Sequence, residues 1–256
     1  VSTRADVDVR SDMKDNHHVS GPLRSFRLLQ EGRKKSQLLA AGNFDVRADV
    51  HSGSLETHIK GNLSEANLHA FGFIDKHYIT SADADITLRS DMKKYYAVSG
   101  NVGNLLLSEQ RKGERIPLAV GQFNLDATMR GEQIEGSING VFPRIDLYQL
   151  GVVDKAMSTS FSTNTSFAMS GKDDMNVRGL IGDLRVTDKD RTYAPGDVNI
   201  DLMSRRDTVH AVLNGGDFRL STAFNSSVNQ LTESGTRIYK IVREQLTNRR
   251  IDQSAI

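Results

Sequence analysis

The residues whose types and spacing could bind a metal ion are few and scattered. His17-His18 offers two imidazoles, but adjacent residues of a strand point to opposite faces and cannot both reach one ion. Asp6-x-Asp8 and Asp83-x-Asp85 have the spacing of calcium-binding carboxylates, without the Gly-punctuated loop that such a site needs. The sequence therefore predicts polar strand residues at these positions and no metal site.

Motifs for catalysis are missing as well. The chain has no phosphate-binding Gly-x4-Gly-Lys-Ser/Thr loop, no His-Glu-x-x-His and no Gly-x-Ser-x-Gly elbow. The segment 136–140, Gly-Ser-Ile-Asn-Gly, resembles that elbow, but its serine occupies the wrong position. With no cysteine there is neither a disulfide framework nor a thiolate site. We predict that the chain is not an enzyme and uses no cofactor.

Composition narrows the range of partners. The 256 residues include 33 basic and 32 acidic residues, so no net field attracts nucleic acid. No run approaches the roughly 18 apolar residues that a membrane-spanning helix requires. The chain opens on Val1 within a strand-like pattern, which predicts an internal fragment whose membrane anchor, if any, lies outside it.

An internal repeat organises the chain. Ala5-Asp6 and Arg10–Lys14 recur as Ala84-Asp85 and Arg89–Lys93, an offset of 79 positions (84 − 5). A weaker third copy follows, in which the offset falls to 75. A long fixed period indicates one structural unit stacked on itself. The copies are predicted at about 5–83, 84–162 and 163–222, and Arg10–Lys14 is interpreted as a repeated loop that sets strand register.

Alternation of apolar and polar residues dominates each copy. It is clearest over 43–51 and 122–130, and it is typical of strands with one apolar and one polar face. Short turns at 52–53, 131–132 and 206–207 predict antiparallel neighbours. About fifteen strands are expected, and an open twisted sheet of that size curls or closes. The predicted fold is all-β: an elongated antiparallel repeat sheet curled into a β-groove, taco-like, or a solenoid.

Two further features complete the predicted architecture. Residues 1–222 form the repetitive sheet, and 223–256 form an amphipathic helix and tail, with the helix at about 225–247 because apolar residues there recur at helical spacing. Glycines inside the strand patterns mark either bends with close backbone approach or ordinary turns. These glycines are Gly21, Gly61, Gly72, Gly100, Gly103, Gly140, Gly179 and Gly182.

The apolar strand faces have no second layer of helices to cover them. One tail helix is too short for about fifteen strands, so the faces must be buried against each other, a partner or lipid tails. The candidate lining of such a groove is Phe44, Val46, Val50, Leu55, Ile59, Ile86, Leu88, Phe123, Leu125, Met129, Ile134, Ile138, Val198, Ile200 and Leu213.

Three features of the sequence stand out: the repeated Ala-Asp and Arg-Ser-Asp phrases, Val98-Ser99-Gly100 with its copy at 19–21, and residues 214–218 before the predicted helix. Together they resemble TamB/AsmA-like proteins, above all the long TamB-type chains of Bacteroidota. The resemblance implies a periplasmic, envelope-spanning protein. Its apolar β-groove would carry phospholipid between the inner and outer membranes and support outer-membrane assembly. It also implies an outer-membrane barrel partner and an inner-membrane anchor outside this fragment.

Two other classes of function stay open at the level of sequence. A structural or adhesive β-solenoid would have a closed, self-packed core and a binding outer face. A carbohydrate-active β-helix enzyme would need clustered carboxylates and aromatic platforms for sugars, and the chain has no tryptophan. Whether the apolar faces enclose an open groove or pack shut distinguishes the lipid-carrying groove from the solenoid.

Overall fold

The computed structural model of the chain describes residues 2–30, 36–72, 74, 76–171, 174–189, 191–206, 208–216 and 218–224. These residues form strands joined by turns and loops. Within those ranges no helix has the length and apolarity needed to cross a membrane. The predicted tail helix falls outside the described residues. The last described strand ends at Phe224.

Fourteen strands are described, close to the fifteen expected. They are β1 Ser2–Ala5, β2 Asp8–Ser11, β3 Asn16–Gln30, β4 Gln37–His51, β5 Ser54–Asn67, β6 Tyr78–Ser90, β7 Tyr95–Arg111, β8 Glu114–Arg130, β9 Gln133–Asp146, β10 Met157–Ser170, β11 Asp174–Asp188, β12 Arg191–Arg205, β13 Thr208–Gly215 and β14 Phe218–Phe224. Most contain 13 to 17 residues, which corresponds to about 45–55 Å of extended chain.

All fourteen strands belong to one antiparallel sheet. From β3 to β14 each strand pairs with the next along the chain, while β1 and β2 both pair with β3. No described strand of one end pairs with the other end, so the sheet is open. At about 4.8 Å between neighbours, the path of thirteen strands extends for about 58 Å. The predicted all-β, elongated antiparallel repeat sheet is confirmed.

The repeat is visible in the strands. β3–β6, β7–β10 and β11–β14 form three successive four-strand units, which we call the first, second and third units. Left-handed backbone conformations recur with the same period: Ser25, Asn104 and Asp183 have φ values of 52°, 48° and 51°. Such values are uncommon outside glycine, so their recurrence shows that each unit repeats the local backbone as well as the strand order.

The two ends of the strands differ. Short turns connect the strands at the hairpin rim, at 52–53 and 131–132 as predicted and also at 91–94. At the opposite, long-loop rim, ten-residue connections occur at 68–77 in the first unit and at 147–156 in the second. Lys76 Nζ donates a hydrogen bond of 3.1 Å to the Leu150 carbonyl. The long loops of successive units therefore contact each other across four strands.

Exposure alternates along the strands and distinguishes the two faces. On β8 the residues of one face, Phe123, Leu125 and Ala127, are half-buried, whereas Asn124 and Asp126 between them are exposed. Apolar residues on the other face are not protected: Val141 is 46% exposed and Leu180 is 36% exposed. Residues of the first face therefore shield one another, as expected when a sheet curls toward that side.

Glycines lie at the middle of the shielded face on alternate strands. A Cβ atom added to Gly61 of β5 would lie 2.1 Å from the Asn43 carbonyl oxygen, and one at Gly100 of β7 would lie 2.2 Å from that of Asp85. The neighbouring backbone thus occupies the space of the absent side chain. Gly21, Gly140 and Gly179 show the same approach, and we call these five positions the crease. Close approach here allows each unit to bend at the same place.

Candidate functional site: an open apolar groove

The strand registers bring the predicted lining residues onto a single face, which we call the apolar face. Phe44 of β4 is aligned through Gly61, Ala84 and Val102 with Phe123 of β8. All fifteen predicted residues lie on this face: Phe44, Val46 and Val50 on β4, Leu55 and Ile59 on β5, Ile86 and Leu88 on β6, Phe123, Leu125 and Met129 on β8, Ile134 and Ile138 on β9, Val198 and Ile200 on β12, and Leu213 on β13.

Further residues line the same face, although the sequence pattern did not predict them as lining residues. They come from β7, β10 and β11: Val98, Val102, Phe167, Met169, Val177 and Ile181. Alternation was present in these segments, but serine, threonine and glycine interrupt it, which weakens the apolar signal. With them the apolar face is continuous from β4 to β13.

Aromatic rings cluster on the part of the apolar face toward the long-loop rim. Phe142 lies with its ring centroid 6.4 Å from that of Phe123 and 5.2 Å from that of Phe161. In the first unit Phe26 meets Phe44 edge to face at 6.0 Å. These contacts link β8, β9 and β10 and supply packing that a single-layer sheet otherwise lacks.

Burial on the apolar face is incomplete. Among the described residues only eight hydrophobic side chains are buried, and most of them, such as Ala66, Ile79 and Leu118, lie near the long-loop rim. The central lining residues Val46, Ile59, Ile86, Leu125 and Ile138 remain partly exposed. A closed core would bury them. The described strands therefore form an apolar surface that stays accessible.

A polar pair interrupts the apolar face at β10. The Thr163 and Thr165 hydroxyls lie 2.8 Å apart and hydrogen-bond to each other. Both side chains are half-buried, beside Ile181 and Gly179 of β11. Because the two hydroxyls satisfy one another, they lower the cost of placing polar groups on this face.

Methionine is concentrated toward the hairpin rim. Six of the seven methionines lie there: Met13, Met92, Met129, Met169, Met175 and Met203. A depression of about 420 Å³ at this rim is lined by Met169 and Met175 of the apolar face, by Met203 of the polar face, and by charged residues such as Arg130 and Glu135. The methionines at this rim therefore lie on both faces, and the depression is not a continuation of the apolar face.

The opposite, polar face of the first unit carries charge pairs. Lys60 Nζ lies 2.9 Å from Asp85 Oδ2, and His58 Nε2 lies 2.6 Å from Asp85 Oδ1. The hydrogen bonds from Lys60 and then His58 lower the pKa of Asp85. His18 Nδ1 lies 2.5 Å from Asp49, and this contact, followed by Arg47, lowers the pKa of Asp49. All these groups are partly exposed, so the pairs contribute little to stability.

The polar face of the second unit is different. Asn101, Asn124, Asn139 and Asn164 lie side by side on β7, β8, β9 and β10, at one level of the sheet. We call this row the asparagine row. Asn101 donates a 3.1 Å hydrogen bond to Asn124. Cross-strand alignment cannot be obtained from alternation alone, so sequence reasoning did not identify this row.

The residues first considered for metal binding are separated. His17 is aligned with Val50 on the apolar face at the hairpin rim, whereas His18 contacts Asp49 on the polar face. Asp83 accepts hydrogen bonds from Asn62 and Asn104, at 2.9 Å and 2.6 Å. No group of three potential metal ligands occurs among the described residues.

The comparisons with known proteins yield no relative. No protein-family model, no curated protein and no solved structure shows a significant match to this chain. The geometry of the sheet and the sequence phrases described above are the features of this chain that bear on its function.

Proposed function

We propose that the apolar face is a groove that carries phospholipid acyl chains. In this proposal the chain is a segment of a periplasmic bridge between the inner and outer membranes and supports outer-membrane assembly, as its resemblance to TamB/AsmA-like proteins implies. The inner membrane would be reached through an anchor outside this sequence, and an outer-membrane barrel protein is the expected partner. Transfer of this kind needs no bond chemistry and no cofactor.

The observation that carries the proposal is a continuous, accessible apolar surface on an open sheet. Fifteen lining residues predicted from sequence share one face from β4 to β13. The sheet extends for about 58 Å, nearly twice the roughly 30 Å hydrocarbon thickness of a bilayer. Each acyl CH₂ removed from water contributes about 0.8 kcal/mol, so a chain lying on this face gains substantially without any polar contact.

The open sheet favours the groove over the alternative of a closed, self-packed solenoid. In a closed core the central residues of β4–β9 would be fully buried, whereas Ile59, Leu125 and Ile138 are only partly buried. The antiparallel order β3 to β14 also differs from a solenoid of stacked parallel strands. Exposed apolar surface of this extent is typical of an interaction site.

The test compares two leucines on opposite faces. The chain is purified without detergent, bound lipid is identified by mass spectrometry, and uptake of a phospholipid with a fluorescent acyl chain is measured after delipidation. Leu125→Glu places a charge in the groove and should abolish uptake, because a carboxylate beside acyl chains is strongly unfavourable. Leu180→Glu makes the same change on the polar face and should leave uptake unchanged.

A crosslinking experiment localises the bound lipid. A photoreactive residue at position 59 should crosslink to lipid, whereas one at position 60, the next residue on the opposite face, should not. Wild-type protein that contains no lipid and takes up none would overturn the proposal. So would equal loss of uptake in the Leu125→Glu and Leu180→Glu variants.

A further inference from the structure

The polar face of the second unit carries a regular array of free amides. Asn101, Asn124, Asn139 and Asn164 occupy the same level on four consecutive strands, and all four side chains are exposed. After Leu180 on β11, the same level continues with Asn199 on β12 and Asn214 on β13. Asparagine is depleted in strands, so six asparagines at mid-strand positions are not explained by local preference.

The amides are available to a ligand. Apart from the bond between Asn101 and Asn124, no side chain of the row makes a hydrogen bond to a described residue. Each amide presents both a carbonyl acceptor and an NH₂ donor. A shallow depression of about 450 Å³ lies over the row and is lined by Asn101, Asn124 and Asn139 together with Ser99 and Ser137.

The charge of the array limits its partner. The row itself is neutral, and on β7–β10 the next level toward the hairpin rim carries Ser99, Asp126, Ser137 and Ser166, so neither level has a basic residue on these strands. On β11 that level reaches Arg178, which is paired with Asp201. Phosphate groups of lipids or nucleic acids need cations, so anionic partners do not match. Large apolar partners do not match either, because on β7–β10 these two levels contain only polar side chains.

We propose that the asparagine row binds an extended, neutral β-1,4-linked glycan chain. Hydroxyl groups both donate and accept hydrogen bonds, which matches side-chain amides. Strands repeat at about 4.8 Å, close to the advance of one sugar along such a chain, so successive amides can contact successive sugars. The row offers no aromatic platform, so each contact is weak and binding depends on many sugars engaging at once.

This proposal concerns the face opposite the groove and is independent of lipid transport. The test incubates the purified chain with insoluble cellulose and chitin and measures depletion from solution, with soluble short oligosaccharides of the same sugars for comparison. Wild type should bind at least one polymer at least tenfold more tightly than it binds the matching oligosaccharide. Binding should not change between low and high salt, because the contacts are neutral.

Variants assign the binding to the row. The double change Asn124→Asp and Asn139→Asp should weaken polymer binding at least tenfold, since it removes donors and adds charge. The change of both residues to Ala should do the same without charge. Asn176→Asp, on the polar face but outside the row, should change binding less than twofold, and thermal unfolding confirms that each variant is folded.

The outcomes separate this site from the groove. Leu125→Glu should lose lipid uptake and keep glycan binding. Absence of polymer binding by wild type, equal binding by both double variants and wild type, or polymer binding that weakens from low to high salt would each overturn the proposal.

Discussion

The first and second units have the same strands and the same apolar face, yet their polar faces differ at one level of the sheet. In the first unit this level carries Asp45, Lys60 and Asp85, and 79 positions later it carries Asn124, Asn139 and Asn164. Charges that pair across strands have been replaced by neutral amides. The difference shows that the polar face can change its chemistry while the fold is retained.

The apolar face changes less between the two units, although Thr165 stands where the first unit has Ile86. Phe44 and Phe123 occupy equivalent positions in the two units, as do Ile59 and Ile138, and the crease glycines Gly61 and Gly140. Packing across the apolar face and close backbone approach at the crease restrict these positions, whereas exposed side chains on the polar face meet mostly water. Three predictions follow from this contrast, given in order of decreasing effect.

The largest effect is expected at the crease. Gly61→Ala and Gly140→Ala place a Cβ 2.1 Å and 2.5 Å from the backbone oxygens of Asn43 and Gln122. The strands must separate, so each change should lower the free energy of unfolding by about 2–3 kcal/mol. Denaturant unfolding followed by circular dichroism measures it. Similar losses in both units would show that the crease is a common structural feature.

The control for the crease is another strand glycine. Gly103 has no atom within 3.6 Å of an added Cβ, apart from its chain neighbours, and its φ is not left-handed. Gly103→Ala should therefore be neutral, or stabilising by up to about 1 kcal/mol through the unfolded state. If Gly61→Ala were as well tolerated as Gly103→Ala, the crease would have no energetic role.

A smaller effect is expected at the turns that both units share. Asp91 accepts hydrogen bonds from the backbone N–H groups of Lys93, Lys94 and Tyr95 at 2.8–2.9 Å, and Asp12 accepts from Lys14 and Asn16 in the equivalent turn. The pKa of Asp12 is lowered to about 2, chiefly by the hydrogen bond from the backbone N–H of Asn16. The pKa of Asp91 is lowered chiefly by the hydrogen bond from the backbone N–H of Tyr95. Asp12→Ala and Asp91→Ala should each destabilise the protein at neutral pH.

The pH dependence of this effect has a defined sign. A carboxyl whose folded pKa is depressed stabilises the fold above its unfolded pKa of about 3.9, and this contribution disappears as pH falls through the folded pKa. For Asp12 the loss occurs between about pH 4 and pH 2. Asp15→Ala is the control, since no described group hydrogen-bonds to that side chain. A pH-independent difference between Asp12→Ala and wild type would contradict the assignment.

Much of this architecture follows from the sequence, because alternation fixes which residues share a face within a strand. That is why all fifteen predicted lining residues lie together, and why the turns at 52–53 and 131–132 were placed correctly. The five crease glycines were among those interpreted from sequence as either bends with close backbone approach or ordinary turns, and the structure shows the close approach. The alignment of the asparagine row depends on register between strands, which shifts irregularly at positions such as Val102/Leu105 and Ser160/Ser162. Sequence patterns of single strands do not contain these shifts, so the row could not be predicted.

The smallest effect is expected from exchanging residues between the two polar faces, and it tests the comparison most directly. Lys60→Asn introduces the residue of the second unit and removes the 2.9 Å contact with Asp85. The pKa of Asp85 should rise toward its ordinary value, since Lys60 is the main cause of its depression. NMR titration measures this pKa, and denaturation at low and high ionic strength measures stability. The loss of stability should be slight and should vanish in high salt, because exposed pairs are screened.

The reverse change, Asn139→Lys, should cost no stability at either ionic strength, since its direct neighbours Asn124 and Asn164 carry no charge and Asp126, on the next level, is a carboxylate that attracts a lysine. Equal, salt-independent losses in both variants would mean that this level of the sheet is constrained by packing, and the proposed freedom of the polar face to change its chemistry would be wrong.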